Sequence, residues 1–400
     1  MRADKYKEYM YGLIDTVLRE IGTRESCSEN EKRAGRFFAE QWKPICDRVD
    51  IETFTCSPTA FLGFLPFAVM FYIAGAAFYW LLPPLSLLLS ATGFFMLFFE
   101  FVRYREFLDF LWPKRDGENV LGIIRPKGEV KQRVVVSAHL DSAYEFNIWL
   151  LLKNAAIPVM IVGVAAVILL LCASLAKTVA YFQGTAGAPV YFWLGVACVA
   201  LYPVVGLFMV FHSYVPVLGA MDDLAGVAVV AGLGKHLDDA KTDGSFFPEK
   251  TEVVLFACAA EESGLRGAKR YIARHKKELK EIPTYGIFLD GIYDEQYLTV
   301  VNREICTGAK HDPWLVKLAQ ESAAGHGWKI KTAPIPLGGS DAAAFSREGG
   351  VPSTCLLCQD TSKLVPNYHT RFDTIDKIRP ESLAVSLQMV IDMVEKIDKK

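Results

Sequence analysis

The 400-residue sequence predicts an α/β fold: a three-layer sandwich around a mixed, mostly parallel sheet, with four inserted transmembrane helices. Three observations carry that expectation. Short apolar runs rich in β-branched residues alternate with helical patterns. Polar residues collect where those runs end, which is where an open α/β sheet gathers its ligands. Two long uncharged tracts break the alternation.

The helical patterns and strands follow in order. Helices are predicted over about 3–21 and 28–44, the first an amphipathic segment (MRADKYKEYMYGLIDTVLRE) with no apolar core of the kind a signal peptide has. Strands follow at 49–54, 119–125 and 133–139, and a helix starts near Asp222 (DDLAGVAVVAGLGKHL). Next come a strand at 251–259, a helix at 263–278 and a strand at 285–290. A helix at 312–325, strands at 328–333 and 351–357, and a closing helix at 380–397 complete the order.

Hydrophobic residues make up 52% of the chain, and the excess is local. No residue from Thr53 to Phe99 is charged, and Pro83-Pro84 divides this tract into two segments. Each is close to the roughly 20 residues that cross a bilayer. A second apolar pair occupies about 154–176 and 189–211. Residues 57–102 and 151–212 therefore read as transmembrane hairpins, and 1–56, 103–150 and 213–400 as blocks of one folded domain. Each hairpin crosses twice, so all three blocks share one face of the membrane. Arg103, Arg105, Lys114, Arg115 and Lys153 lie near that face, whereas the far side carries only Lys177, in the 177–188 loop. Lys/Arg-rich flanks stay inside, which makes the domain cytoplasmic and the lipid bilayer a partner. Trp80, Tyr191 and Trp193 would mark the far interface, and Trp149 and Tyr214 the near one.

The 43 basic and 45 acidic residues leave no basic excess for a nucleic-acid partner. Nine scattered cysteines form no disulfide framework and fit a reducing compartment; the lone pair Cys355 and Cys358 reads as core.

Five polar signals stand at strand ends or in adjoining loops. His139-Leu140-Asp141 follows RVVVSA, and in GAMDDLAGVA Asp222 sits at a helix start, where it could serve merely as a cap. Glu261-Glu262 ends the run VVLFACAA, Asp290 ends YGIFLD, and NYHTRFDT brings His369 with Asp373. Adjacent buried glutamates repel unless something positive intervenes. Imidazole and carboxylate donors without thiolates suit zinc, cobalt or manganese. A carboxylate bound to a dication would no longer repel its neighbour strongly, leaving that neighbour as a base.

The ordered set HLD, GAMDDLAG, EESGLRG, FLDG, GGSDAAAF and YHTRFDT resembles the co-catalytic zinc exopeptidases of metallopeptidase family twenty-eight, most strongly over 119–145, 213–295 and 335–398. The resemblance implies a peptide substrate and two Zn2+ per chain, with Co2+ or Mn2+ as substitutes. By this similarity His139 and Asp290 bind one ion, Glu262 and His369 the other, and Asp222 bridges both. Asp141 would orient His139, and Glu261 would be the general base, moving a proton from water to the leaving amine. A cis peptide bond at Asp222-Asp223 is expected on the same ground, and Ser340-Asp341 matches the family's SD element. Two departures stand out. Leu337-Gly338-Gly339 replaces a tyrosine that some aminopeptidases carry before that element, and the hairpins interrupt the domain.

The filled ligand set favours an aminopeptidase over the one-zinc cyclase relatives and over the receptor branch that lost its ligands; carboxypeptidase action within the family is the alternative. A transporter would carry charges inside its spans, and the sequence places only Lys153 at an edge. His212, His236, His275, His311 and His326 read as structural or exposed.

Overall fold

Alternating side chains assemble the sheet. In the computed structural model, which describes residues 1–360 and 367–400, eight strands pair in the order β1-β2-β4-β3-β5-β8-β6-β7. They are β1 (Arg48–Cys56), β2 (Arg115–Ile124), β3 (Gln132–His139), β4 (Thr251–Cys258), β5 (Thr284–Asp290), β6 (Leu298–Glu304), β7 (Lys331–Ile335) and β8 (Ser353–Cys358). The four central strands β4, β3, β5 and β8 are mutually parallel, while β2 and β6 join antiparallel on either side.

On one face Val134 and Val136 of β3, Val253 and Leu255 of β4, and Ile287 of β5 pack against the helices Lys7–Glu20, Glu29–Trp42, Ala225–Asp243, Pro313–Gly325 and Pro380–Asp398. On the other, Phe256 and Phe288 meet Tyr271 of the helix Arg266–His275 and Phe345. This is the three-layer sandwich expected, built on strands buried from both sides.

Contacts divide the chain into two units: Met1–Pro58, Lys114–Tyr144 and Val215–Lys400 form the first, Thr59–Pro113 and Glu145–Tyr214 the second. Residues 103–113, 145–150 and 213–214, read by composition as part of the folded domain, belong with the second unit, and 57–58, read as hairpin, with the first. Among the described residues, four helices are long and apolar enough to cross a membrane: Ala60–Phe78, Pro83–Val102, Asn147–Phe182 and Pro189–Val210. Their interior is built from Val69, Tyr72, Ala76, Ala166, Leu170 and Ala173, and Ser86 hydrogen-bonds Ser174 at 2.8 Å. Small residues and buried hydroxyls of this kind let apolar helices approach closely.

Three differences from the sequence reading matter. Lys177 is not in a loop: its helix runs on to Phe182, and the buried ammonium stands 4.4 Å from the Tyr79 ring centroid, a cation–π contact. Strand β6 went unread, because LTVVNRE offers only a short apolar run before its polar end. The strand expected at 328–333 is Lys331–Ile335.

The edge strand β1 is fastened to the helix Arg266–His275 by Glu52, whose carboxylate lies 2.6 Å from His275 Nε2 and 3.2 Å from Arg274. The hydrogen bond to Glu52 raises the His275 pKa above its ordinary value of about 6.5, against the effect of burial. Burial opposes charging Glu52, but His275 and Arg274 outweigh it and lower its pKa. A raised histidine contributes stability fully below its unfolded pKa and loses it as pH climbs through the folded value. A lowered carboxylate contributes above its unfolded pKa and loses it as pH falls. The tie is therefore strongest between about pH 4.5 and 6.5. Amide hydrogen exchange in β1, corrected for intrinsic rates, should accelerate as pH rises from about 6 to 8, and His275→Gln should flatten that dependence; an unchanged profile in the variant would contradict the assignment.

Candidate metal centre

Strand register brings the predicted residues to one end of the sheet. In the parallel trio β4-β3-β5, His139 pairs with Cys258, and Ser137 with Phe288. Continuing that register sets His139 level with Asp290, while Glu261-Glu262 follow Cys258 after Ala259-Ala260. After β3 the chain adds β4 on one side of it and then crosses to add β5 on the other, so the carboxyl end of β3 opens a crevice. Asp222 enters from the segment before the helix Ala225–Asp243, and its peptide bond to Asp223 is cis. That segment turns at Gly219, which has φ +59° and where a Cβ would stand 2.6 Å from the Asp222 carbonyl oxygen and the Ser142 Cβ; only glycine fits.

The side chains converge. His139 Nε2 lies 3.1 Å from Asp222 Oδ1, and His369 Nε2 lies 3.1 Å from Asp222 Oδ2 and 3.2 Å from Glu262 Oε1. His139, Asp222 and Asp290 offer ligand atoms all within 4.8 Å of one another, and so do Asp222, Glu262 and His369. Asp222 belongs to both sets. A third set of the same reach joins Glu261 to His139 and Glu262.

The surrounding carboxylates behave differently from the central ones. Asp141 accepts the amides of Glu261 (3.0 Å) and Glu262 (3.1 Å) and the Ser26 hydroxyl (2.6 Å). Glu31, fully buried, accepts the amides of Cys27 and Ala260, both at 2.7 Å. Asp223 accepts those of His139 and Gly226, and Asp373 those of Met221 and Asp222. Among the described residues no backbone amide serves the side chains of Asp222, Glu261, Glu262 or Asp290. Asp222 Oδ2 and Glu262 Oε1 are buried without a well-aligned hydrogen bond, and the one His369 nitrogen facing both carries at most one proton.

Burial is the largest influence on Glu261, Glu262 and Asp290 and pushes all three upward, Asp290 to about 8, with neighbouring carboxylates adding to it. Burial raises the supporting acids Glu31, Asp223 and Asp373 as well, Asp373 to about 8, whereas burial at Asp222 is outweighed by His139 and His369, which hold it below its usual range. Burial disfavours charging His369, yet Glu262 and Asp222 outweigh it and raise the ring to about 10. The His139 ring is likewise raised, by Asp141 and Asp222 against burial. The nearby buried Arg24 is committed to carbonyl oxygens of Gly22, Leu140, Leu218 and Gly219. A cluster short of positive charge, with nitrogen and oxygen donors converging in two overlapping sets, fits divalent ions of the zinc type.

The structure brings together every residue singled out as a ligand or base: His139, Asp222, Glu261, Glu262, Asp290 and His369. Asp141 faces His139 through both its backbone and its side chain. His139 Nδ1 lies 3.1 Å from the Asp141 carbonyl oxygen and 3.4 Å from its Oδ1, so the backbone makes the closer contact and the carboxylate mainly holds the glutamate doublet. Ser340 lies in a second buried network, donating to Glu304 at 2.6 Å while His311 faces the same carboxylate at 3.2 Å, whereas the buried Asp341 helps to raise Glu261 and Asp290. Sequence reasoning missed Glu31, Arg24, Asp223 and Glu304. Glu31 alone left a trace, as the last residue of the capping-box pattern Ser28-Glu29-Asn30-Glu31.

Residues 204–394 match the family model of peptidase family M28. No curated protein matches the chain in sequence. Among solved structures, the aminopeptidase from Aneurinibacillus sp. strain AM-1 is similar with a TM-score of 0.57 and 14% identity, over 97% of this chain and 93% of that one. BSAP, a zinc aminopeptidase from Bacillus subtilis, gives 0.57 and 15%, over 98% and 95%. A glutaminyl cyclase from an Acidobacteriales bacterium gives 0.56 and 15%, over 98% and 94%. At such identities the likeness establishes the fold.

Glu31→Ala would strip two buried amides of their acceptor, at about 1–3 kcal/mol each. Denaturant unfolding should show a loss of about 2–5 kcal/mol, with faster amide exchange at Cys27 and Ala260. Unchanged stability would mean that those amides find another partner.

Proposed function

We propose that this chain, which carries a peptidase family M28 domain, is a membrane-anchored binuclear zinc exopeptidase that hydrolyses N-terminal peptide bonds. The observation that carries the reading is the convergence of His139, Asp222, Glu262, Asp290 and His369 around a shared Asp222, with Glu261 beside them and unserved by any amide on its side chain among the described residues. His139 and Asp290 would hold one ion, Glu262 and His369 the other, and Asp222 both. Zinc bound there would supply Lewis-acid polarisation of the scissile carbonyl and of water.

The chain's own residues do the rest. The Glu261 carboxylate accepts the proton of the attacking water and returns it to the leaving amine nitrogen. Its aim is set by its backbone: Asp141 takes the amides of both glutamates and Glu31 the amide of Ala260, so the doublet enters the site from a fixed peptide. Asp373 fixes Asp222 in the same manner, through the amides of Met221 and Asp222. Burial of Glu261, His139 and Asp222 keeps bulk water from competing for these contacts.

The four apolar helices support attachment to a bilayer, and the basic flanks support a cytoplasmic face for the first unit. The aminopeptidases among the similar folds support a reading of free-amine substrates.

Two measurements test this reading. On a panel of aminoacyl arylamides and N-blocked peptides, the zinc-loaded chain should cleave the free-amine substrates. Glu261→Gln should lower turnover by about 100-fold or more while metal content by mass spectrometry stays near two per chain, whereas Asp222→Ala should lower both. Cleavage of N-blocked peptides alone would favour the carboxypeptidase reading, and full activity in Glu261→Gln would refute its role as base. For orientation, a cysteine placed at exposed Lys127 should react with a membrane-impermeant maleimide only after cells are permeabilised. Labelling of intact cells would reverse the assignment.

A further inference from the structure

Two thiols touch beside the segment that carries the glutamate doublet. Cys27 Sγ and Cys56 Sγ lie 3.4 Å apart, and the residues are 5% and 2% exposed. They share a small cluster with Phe54, Ala259 and Ala260. Theirs is the one sulfur–sulfur contact among the described residues.

Each cysteine is fixed from a different direction. Cys56 is the last residue of the edge strand β1, paired with Arg115 of β2. Cys27 holds φ +61° just before Ser28, the N-cap of the helix Glu29–Trp42. Its amide donates to Glu31 Oε2, while the Ala260 amide donates to Oε1 of the same carboxylate. Ser26, its neighbour, donates to Asp141, which in turn holds Glu261 and Glu262. The loop carrying Cys27 thus shares both of the acids that fix residues 260–262.

A disulfide needs the sulfurs about 2.05 Å apart, an approach of about 1.3 Å from their present positions. We propose that Cys27 and Cys56 are a modification site: a dithiol that a small-molecule disulfide of the glutathione type oxidises to a cystine, tying the loop beneath the glutamate doublet to the end of β1. One cysteine attacks the small disulfide, forms a mixed disulfide and releases one small thiol. The other cysteine attacks the protein sulfur of that mixed disulfide, closes the Cys27–Cys56 bond and releases the second small thiol. The two cysteines give up two electrons and two protons, and the small disulfide takes up both.

The hydrogen bond to Cys56, with burial, pushes the Cys27 thiol upward, so thiolate is scarce and exchange is slow. The pair records the redox state of its compartment over minutes to hours rather than seconds. The link would close a loop between positions 29 apart, which removes freedom from the unfolded chain and raises the melting temperature by about 5–10 °C. None of this depends on the hydrolytic reading.

The test uses the purified full-length chain, equilibrated in reduced and oxidised glutathione mixtures of increasing oxidised share, then acid-quenched, alkylated, digested and read by mass spectrometry. The expected result is a linked peptide containing Cys27 and Cys56, two hydrogens lighter than its parts. It should appear with a measurable midpoint, with a higher melting temperature and slower amide exchange at 260–262. Cys27→Ser and Cys56→Ser should each abolish the link and both shifts, while Cys46→Ser should leave them intact. Alkylation of both thiols after unfolding from the most oxidising mixture would overturn the proposal. So would their capture by glutathione or by other cysteines. A linked pair with unchanged melting and exchange would overturn the claim that the link fastens the loop.

Discussion

Carboxylates crowded at the ends of buried strands repel one another, and burial sharpens the repulsion. In the larger unit the backbone meets part of that demand. Asp141, Glu31, Asp223 and Asp373 each take two amides, and each pair of amides belongs to a residue at or next to the centre or to the loop that braces it. Amide donors satisfy a carboxylate and at the same time fix the segment that supplies them. The central acids Asp222, Glu261, Glu262 and Asp290 lack that help among the described residues, and two imidazoles cannot supply the missing charge. The supporting ring is thus braced by the backbone, and the centre as a whole is short of positive charge.

The same economy explains how the larger unit tolerates two long insertions. Hairpin one enters between β1 and β2, antiparallel neighbours whose facing ends are Cys56 and Arg115. It occupies the place of a strand-to-strand turn. Hairpin two leaves after Tyr144 and returns at Val215, and Tyr144 bridges Pro216 while the Val217 amide bonds the Ala143 carbonyl at 2.9 Å. At both sites the departing and returning strands are already tied by backbone hydrogen bonds. Loop length adds little cost once the ends are held, so insertion leaves the sheet and its polar end undisturbed.

Much of this was legible before any coordinates. Short β-rich apolar runs located seven of the eight strands, and polar residues at their ends gave the side chains that converge, because a strand must end where its buried run ends. What stayed hidden was long-range. Glu31 sits in the charged run ENEKRAG, which reads as a solvated helix face; its capping box accounts for a local bond and says nothing of Ala260. Arg24 lies in a loop with no periodicity, yet its guanidinium joins its own loop at Gly22 to carbonyls from two distant stretches, Leu140 and Leu218-Gly219. Nothing in the Asp222-Asp223 doublet signals that Asp223 accepts the amides of His139 and Gly226. Lys177 was misplaced because hydropathy ends a span at the first charge, whereas an aromatic pair can carry that charge a turn further into the helix.

The adjacent glutamates show how one support directs two side chains differently. Both amides end on Asp141, one on each carboxylate oxygen, so consecutive residues share a single anchor. Ala260, just before them, holds φ +54°, a left-handed conformation costing about 1–2 kcal/mol for a residue with a Cβ. The Glu31 bond to its amide offsets that cost and sets the turn by which the chain leaves β4. From this turn Glu262 reaches Asp222 and His369, while Glu261 stays with His139. Two side chains of one type, launched from neighbouring peptides, thereby face different partners. It is the direction of departure, fixed by Glu31 and Asp141, that sends the two carboxylates to different partners.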